Sequence, residues 1–482
     1  MRHVLIALLL ASPLAAQGPT AGPVTRRDLA DAYLAIDGLV AARGLPDDRA
    51  AAVNRAFDVS TLAFFGGNYA KVLRDMHTLY AGVVGDTAPS SVTRRLLSLR
   101  VRAGSRVVLP GETVRAVLTQ MYADSAWADP LGVTVELSRG GKVVSSKPVE
   151  IPGGVAGGYQ ASVEFPAPPL GARGAPSRLS VILRPARGAT VARPEAFVFV
   201  LPRPADSLRV ALLRRLDALA PLADSLRQAE ASVRARAGLL VTEPAADNSA
   251  QFMADLAQLS MDVERELATL ERGANPYAGR RGGAWRVVRS ATATVPFRLY
   301  VPKAPRTPMP VVVALHGAGA DENMFFDGYG AGILTTLAEQ RGFVVISPVS
   351  STIGRDVAVF DSLLAVVDRE VPIDTSRIHV LGHSMGAGVA TQLAVQRASR
   401  LKAVAMMAGG GAVTSAATPP LLFLGAEVDQ VIPEPRVKQA FDRAVAAGAK
   451  AEYRRVDGYG HTLMVGRELP AVIDWLLATP RR

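Results

Sequence analysis

Cysteine is absent from the 482 residues. Its absence excludes disulfides, cysteine-ligated zinc, iron–sulfur clusters and a thiol nucleophile, and leaves stability to core packing alone. No stretch reaches the ~18 uninterrupted apolar residues of a membrane-spanning helix, so no stable membrane insertion is expected. Basic runs are missing too. The formal net charge is +11, but the surplus is scattered, mostly arginine, and never gathers five in a row, so no nucleic-acid partner is expected. Short-period repeats are absent, which excludes collagen-like and solenoid architectures. What is present is ordinary globular material, 49% hydrophobic and 20% charged, with 43 Gly and 33 Pro marking many turns. The length suggests about three domains.

The chain opens on Met1-Arg2-His3, then the apolar run Val4 to Ala11, then Ser12-Pro13-Leu14-Ala15-Ala16 before Gln17. A charged start, a short apolar run and small residues are the order of a secretory signal peptide. Residues 1–16 are therefore expected to be removed after Ala16, giving a periplasmic or secreted protein. Residues 17–98 have apolar positions at helical spacing, as in Asp28 to Leu34 and Tyr69 to Met76. Between 99 and 202 short alternating runs such as Val133 to Leu137 and Ala196 to Val200 are split by Gly and Pro, which predicts an antiparallel β-sandwich-like domain. Residues 203–272 return to helical period and, broken at Pro244, Asn248 and Ser249, predict a helical hairpin. Gly273 to Gly283 reads as turn-rich, so 273–284 is expected to be a linker. From 285 to 482 apolar, β-branched runs alternate with helical segments: Val311 to Leu315, Phe343 to Ile346, Ile378 to Leu381, Ala403 to Met406 and Leu421 to Leu424. Continuous apolar strands between helices predict an α/β fold, its mostly parallel sheet covered on both faces.

The chemistry gathers in that last part. Gly382-His383-Ser384-Met385-Gly386 stands between the strand ending at Leu381 and the helix opening at Ala387, the strand–turn–helix context of a nucleophile elbow. A serine held there needs a base, and of six histidines only His461 follows it in the chain, in the Gly-flanked loop Gly458 to His461. The third member is expected just past the strand Leu421 to Leu424. Asp429 has the best distance from the strand end; Glu427 is its rival and Asp457 a weaker one. His316-Gly317-Ala318-Gly319 follows the strand ending at Leu315. Its Ala318 amide, with that of Met385, is expected to form the oxyanion hole, while His316 shapes the loop. His379 reads as a packed core residue, and His383 sits beside the nucleophile. No carboxylate accompanies them at metal-ligand spacing, so no metal is assigned. Asp321, Glu322 and Asp327 read as a solvated, helix-capping loop in preference to a substrate contact.

Residues 285–482 resemble the α/β-hydrolase superfamily, and within it the secreted esterases that include feruloyl esterases and polyhydroxybutyrate depolymerases. They also resemble the prolyl-oligopeptidase-type catalytic domain. The resemblance rests on Leu315 to Gly319, Ile373 to Ile378, the Gly382 to Gly386 motif, Asp429 and Gly460-His461. It implies a cofactor-free serine hydrolase that uses a Ser384-His461-Asp429 triad on a small-molecule or polysaccharide-linked ester. The sequence departs from many relatives in having Ala387 where a glycine run continues, and it cannot form the disulfides of the secreted depolymerases. One sandwich-sized β region is too short for the propeller of prolyl oligopeptidases. A peptidase or amidase using the same triad remains the second expectation. A non-catalytic binding protein on a hydrolase scaffold is the third, disfavoured by the intact set of three residues.

Overall fold

The computed structural model describes residues 23–84, 91–124, 126–153, 159–186, 194–219, 221–304 and 308–479. The expected signal peptide and its cleavage site lie outside the described residues. The first layer is helical: α1 (Arg26–Arg43), α2 (Asp47–Phe65), α3 (Tyr69–Val83) and the short α4 (Ser91–Leu97). A reciprocal capping box starts α1, with the Thr25 amide donating to Asp28 Oδ2 at 2.8 Å. Gly44, at φ 71°, ends it. Ile36, Phe57, Leu73 and Met76 make the core of this layer, and Leu463 from the far end of the chain joins them.

Next come β1 (Leu99–Ala103), β2 (Val107–Val108), β3 (Thr113–Gln120), β4 (Leu131–Arg139), β5 (Lys142–Ile151), β6 (Gln160–Pro166), β7 (Ser177–Pro185) and β8 (Glu195–Val200). They form a three-stranded sheet in the order β1-β3-β6 and a five-stranded sheet in the order β2-β8-β7-β4-β5. All pairings are antiparallel apart from β2 on β8. Buried and exposed residues alternate along β3 and β7, and Val114, Leu118, Val135 and Val181 from the two sheets share one core. The edge strand β5 carries Lys142, Lys147 and Pro148, residue types that discourage pairing with another chain.

The helical segment that follows holds more than the expected hairpin: α5 (Ala205–Asp217), α6 (Arg227–Gly238), the single turn α7 (Ser249–Phe252) and α8 (Leu256–Glu271). Pro221 separates α5 from α6, because a proline cannot donate to the preceding turn and clashes with it. Asn248 and Asp255 cap the last two, accepting from the Gln251 and Gln258 amides at 3.1 and 3.0 Å.

Residues 273–284, expected as a linker, are a packed connection. Tyr277 is buried, its hydroxyl donates to Glu266 at 3.0 Å, and the Arg286 guanidinium lies 3.8 Å from its ring centroid. Arg286 is itself buried and paired with Glu370 through Nη2–Oε1 at 2.8 Å, while the Gly279 amide donates to the Glu370 carbonyl at 2.8 Å. Turn residues in the sequence said nothing of this burial, which depends on Glu266, 11 positions from Tyr277, and on Glu370, 84 positions from Arg286. Glu370→Gln leaves the arginine charge buried without its counter-ion and is expected to lower stability by about 3–5 kcal/mol. Denaturant melts of the two proteins test this; matching midpoints would contradict it.

The last part is a single eight-stranded sheet. Its elements are β9 (Gly282–Arg289), β10 (Thr294–Val301), β11 (Met309–Leu315), α9 (Met324–Asp327), α10 (Tyr329–Arg341), β12 (Val344–Pro348), α11 (Ser350–Arg355), α12 (Ala358–Glu370), β13 (Ile373–His383), α13 (Met385–Gln396), β14 (Ala403–Met407), β15 (Leu421–Ala426), α14 (Glu434–Ala446), β16 (Ala451–Val456) and α15 (Leu463–Ala478). The strand order is β9-β10-β12-β11-β13-β14-β15-β16. Only the pairings of β10 with β9 and β12 are antiparallel. Along β11, Val311, Val313 and Leu315 face the core under α12 and α13, while Val312 and Ala314 face the one under α10 and α15. That two-sided burial is why the strand is apolar throughout.

Candidate active site

The turn between β13 and α13 is tight for identifiable reasons. Ser384 sits at φ 56°, ψ −117°, a region sparsely populated by side-chain-bearing residues and costing on the order of 1–3 kcal/mol. Its amide donates to the Met407 carbonyl on β14 at 2.9 Å. A Cβ at Gly386 would lie 2.0 Å from the Leu315 carbonyl oxygen, and one at Gly382 would lie 2.2 Å from that of Gly386. Glycine at both positions lets strand, turn and helix close around the serine. Met385, as the first helical residue, has an amide without an intrahelical acceptor.

His461 and Asp429 come together behind it. The His461 Nδ1–H donates to Asp429 Oδ2 at 2.8 Å, and both residues are buried. The other carboxylate oxygen of Asp429 accepts the Val431 and Ile432 amides, each at 2.8 Å, which fixes the plane of the group. Glu427 is turned away: it accepts the Gly458 amide at 2.7 Å and pairs with Arg455. Asp457 is exposed and also pairs with Arg455. Of the three carboxylates weighed from the sequence, only Asp429 is bonded to the histidine ring.

His383 has a part that the sequence reading left undefined. Its Nε2–H donates to the His461 carbonyl at 3.0 Å, and its Nδ1 accepts the Tyr329 hydroxyl at 2.5 Å. Burial holds its pKa well below the usual histidine range, so the neutral tautomer that these bonds require is the stable one. His316 donates from Nδ1 to the Gly317 carbonyl at 2.8 Å and accepts the Ser350 amide at Nε2 at 3.0 Å, shaping the loop as expected. His379 is a buried core residue whose pKa burial pushes down to about 3.

The α1 and α2 helices reach into this site, which no motif announced. On α2, the Asp58 carboxylate accepts the His461 amide at 3.0 and 3.1 Å and the Gln430 amide at 3.0 Å. One turn earlier, Asn54 Oδ1 accepts the Gly460 amide at 2.8 Å. On α1, Asp37 accepts the Ala331 amide at 2.7 Å, within the left-handed run at residues 330–332 that follows Tyr329. Both carboxyls are raised by burial to about 6. The available signal was a polar pair, Asn54 and Asp58, at i, i+4 on the buried face of an amphipathic helix.

Ser384 and His461 open into a pocket walled by apolar side chains of the same helical layer, among them Leu29, Tyr33, Phe57, Phe64 and Met76, with Phe252 from α7. Ala318 and Gly319 line it from the loop after β11, where Arg26 donates to the Gly319 carbonyl. The acidic loop is a structural tie instead of the solvated cap expected. Glu322 is buried and accepts from Trp285 Nε1 at 2.6 Å, Asp327 pairs with Arg298 at 2.8 Å, and Asp321 accepts from Ser249 and Asn323. The loop's acid content is consumed by these partners, which, apart from the neighbouring Asn323, lie 29 to 72 positions away.

No family model matches the chain. Esterase EstD of Thermotoga maritima is 32% identical over 127 residues, which is 24% of this chain and 30% of that protein. A probable feruloyl esterase C of Aspergillus flavus is 30% identical over 130 residues, 23% of this chain and 47% of that one. The chain thus spans less than half the length of the curated relatives it matches. An S-formylglutathione hydrolase from Agrobacterium tumefaciens aligns with 41% of this chain and 95% of its own, at 19% identity and a TM-score of 0.35. The carboxylesterase EstE1 aligns with 40% and 85%, at 18% identity and a TM-score of 0.33.

Proposed function

We propose that the α/β-hydrolase domain of this chain is a carboxylic ester hydrolase working through Ser384, His461 and Asp429. The observation that carries the reading is the 2.8 Å bond between His461 and Asp429, formed where His461 shares an apolar pocket with a strained, elbow-held serine. His461 takes the Ser384 proton as the oxygen attacks the ester carbonyl, and Asp429 stabilises the imidazolium that forms. The amides of Ala318 and Met385 bind the oxyanion, each donor being worth ~2.7–4 kcal/mol. The alcohol leaves with the proton from His461. Water, deprotonated by the same ring, then releases the acid from the acyl-serine.

Apolar walls favour an apolar acyl or alcohol group, free or carried on a polysaccharide. Each buried methylene contributes about 0.8 kcal/mol, so kcat/KM is expected to climb from acetyl to medium-chain p-nitrophenyl esters before the pocket fills. A series in which the acetyl ester is the best substrate contradicts this. Amide counterparts in the same series separate ester from peptide-bond cleavage. The proposal includes export, which rests on residues 1–16 alone; an expressed protein whose mature mass begins at Gln17 supports it.

A further inference from the structure

The Gly458 to His461 loop is built from residues that hold no shape of their own, with glycine on both sides of Tyr459. Yet a general base must be held to a fraction of an ångström against the serine it serves. Asp429 fixes the ring and His383 fixes the His461 carbonyl. The His461 amide, however, is held from outside the domain, by α2. The Asp58 carboxylate, 1% exposed, bridges that amide and the amide of Gln430, the residue next to Asp429. Asn54 adds the Gly460 amide. A Cβ at Gly460 would meet Asp58 Oδ2 at 2.7 Å, so the loop approaches the carboxylate as closely as a backbone can.

We infer that Asp58, with Asn54, is a positioning residue for the hydrolysis, setting the distance between the acid loop and the base loop from the N-terminal helical layer. The inference rests on the proposed triad. A single carboxylate bonded to both loops holds acid and base in register while the imidazolium forms and decays. Charge-assisted bonds to backbone amides are stiff enough for that task, and burial keeps water from competing. It also gives the N-terminal helices a second part in the site, beyond the apolar wall they supply.

The experiment compares the full-length protein with Asp58→Ala, Asp58→Asn and Asn54→Ala, and with Asp75→Asn on the exposed side of α3 as the unaffected control. For each we would measure kcat and KM on the best p-nitrophenyl ester, the labelling rate of Ser384 by a fluorophosphonate, and the melting temperature. Asp58→Ala is expected to lower kcat and labelling about 10²-fold with KM largely unchanged, the scale of an ångström-size misplacement. Asp58→Asn and Asn54→Ala are expected to fall between it and wild type. Wild-type labelling and kcat in folded Asp58→Ala would overturn the inference and leave the triad standing. A loss in which KM rises and melting temperature falls together, with kcat intact, would assign Asp58 to the fold alone and also overturn it. If Asp58→Ala does not fold, Asn54→Ala decides, since unchanged kcat there removes the positioning role. A wild-type chain that takes no label at Ser384 refutes the triad, and this inference with it.

Discussion

Ser384→Ala is expected to lower kcat on the order of 10⁵-fold while leaving the melting curve in place, because alanine removes one oxygen and nothing that packs. The effect is this large since in the proposed mechanism the serine forms the covalent bond; His461 and Asp429 act there only through it, and without the nucleophile they have no proton to move. The strained backbone at φ 56° is set by Gly382, Gly386 and the Ser384 amide bond to Met407, none of which the substitution touches. The measurement is intact mass after fluorophosphonate treatment, alongside turnover. A single adduct on wild type that disappears in the mutant is the expected pair. Wild-type turnover in Ser384→Ala would remove the mechanism entirely.

Asp429→Asn has the second-largest expected effect, about 10⁴-fold in kcat with the fold preserved. Asparagine keeps the size of the group, and its amide nitrogen can then donate to His461 Nδ1, stabilising the tautomer whose Nε2 carries the proton. That tautomer cannot accept a proton from Ser384. The control is Glu427→Gln, expected to leave kcat near wild type because Glu427 bonds to Arg455 and the Gly458 amide instead of the ring. Equal losses in the two variants, or a larger loss in Glu427→Gln, would reassign the acid.

The two predictions share a feature of the site. The proposed nucleophile, acid and base all follow strand ends, with Ser384 after β13, Asp429 after β15 and His461 after β16. Strand ends are where apolar runs stop and loops begin, a change written in neighbouring residues. As candidates, Ser384 stands out from five consecutive residues, His461 from its position in the chain, and Asp429 from its distance to the end of Leu421 to Leu424. The same locality explains the correct reading of β11, whose unbroken apolar run records burial on both faces.

Other features escaped a local reading, each for a physical reason. The linker expected at 273–284 is packed because Tyr277 and Gly279 bond to Glu266 and Glu370. The hairpin expected in 203–272 is a larger helical group because Pro221 cuts one helical period into two helices. Asp321, Glu322 and Asp327 are acidic and near the pocket, a local pattern that points to solvent, whereas their partners Ser249, Trp285 and Arg298 come from other elements.

By itself, then, the amino-acid sequence determined the alternation of strands and helices in the last two hundred residues and the mostly parallel sheet, and it singled out the proposed reactive groups. All of these follow from periodicity and from motifs a few residues long. Only the tertiary structure decided what surrounds those groups. The bond from Asp58 to His461 spans 403 positions and that from Asp37 to Ala331 spans 294. Such contacts leave no local trace, because a buried carboxylate on a helix face looks the same whether it meets a catalytic loop or a structural one. Its partner is selected by how whole layers pack, and here the packing of the N-terminal helices against α10 and the loops beyond the strand ends closes the pocket and holds the histidine loop.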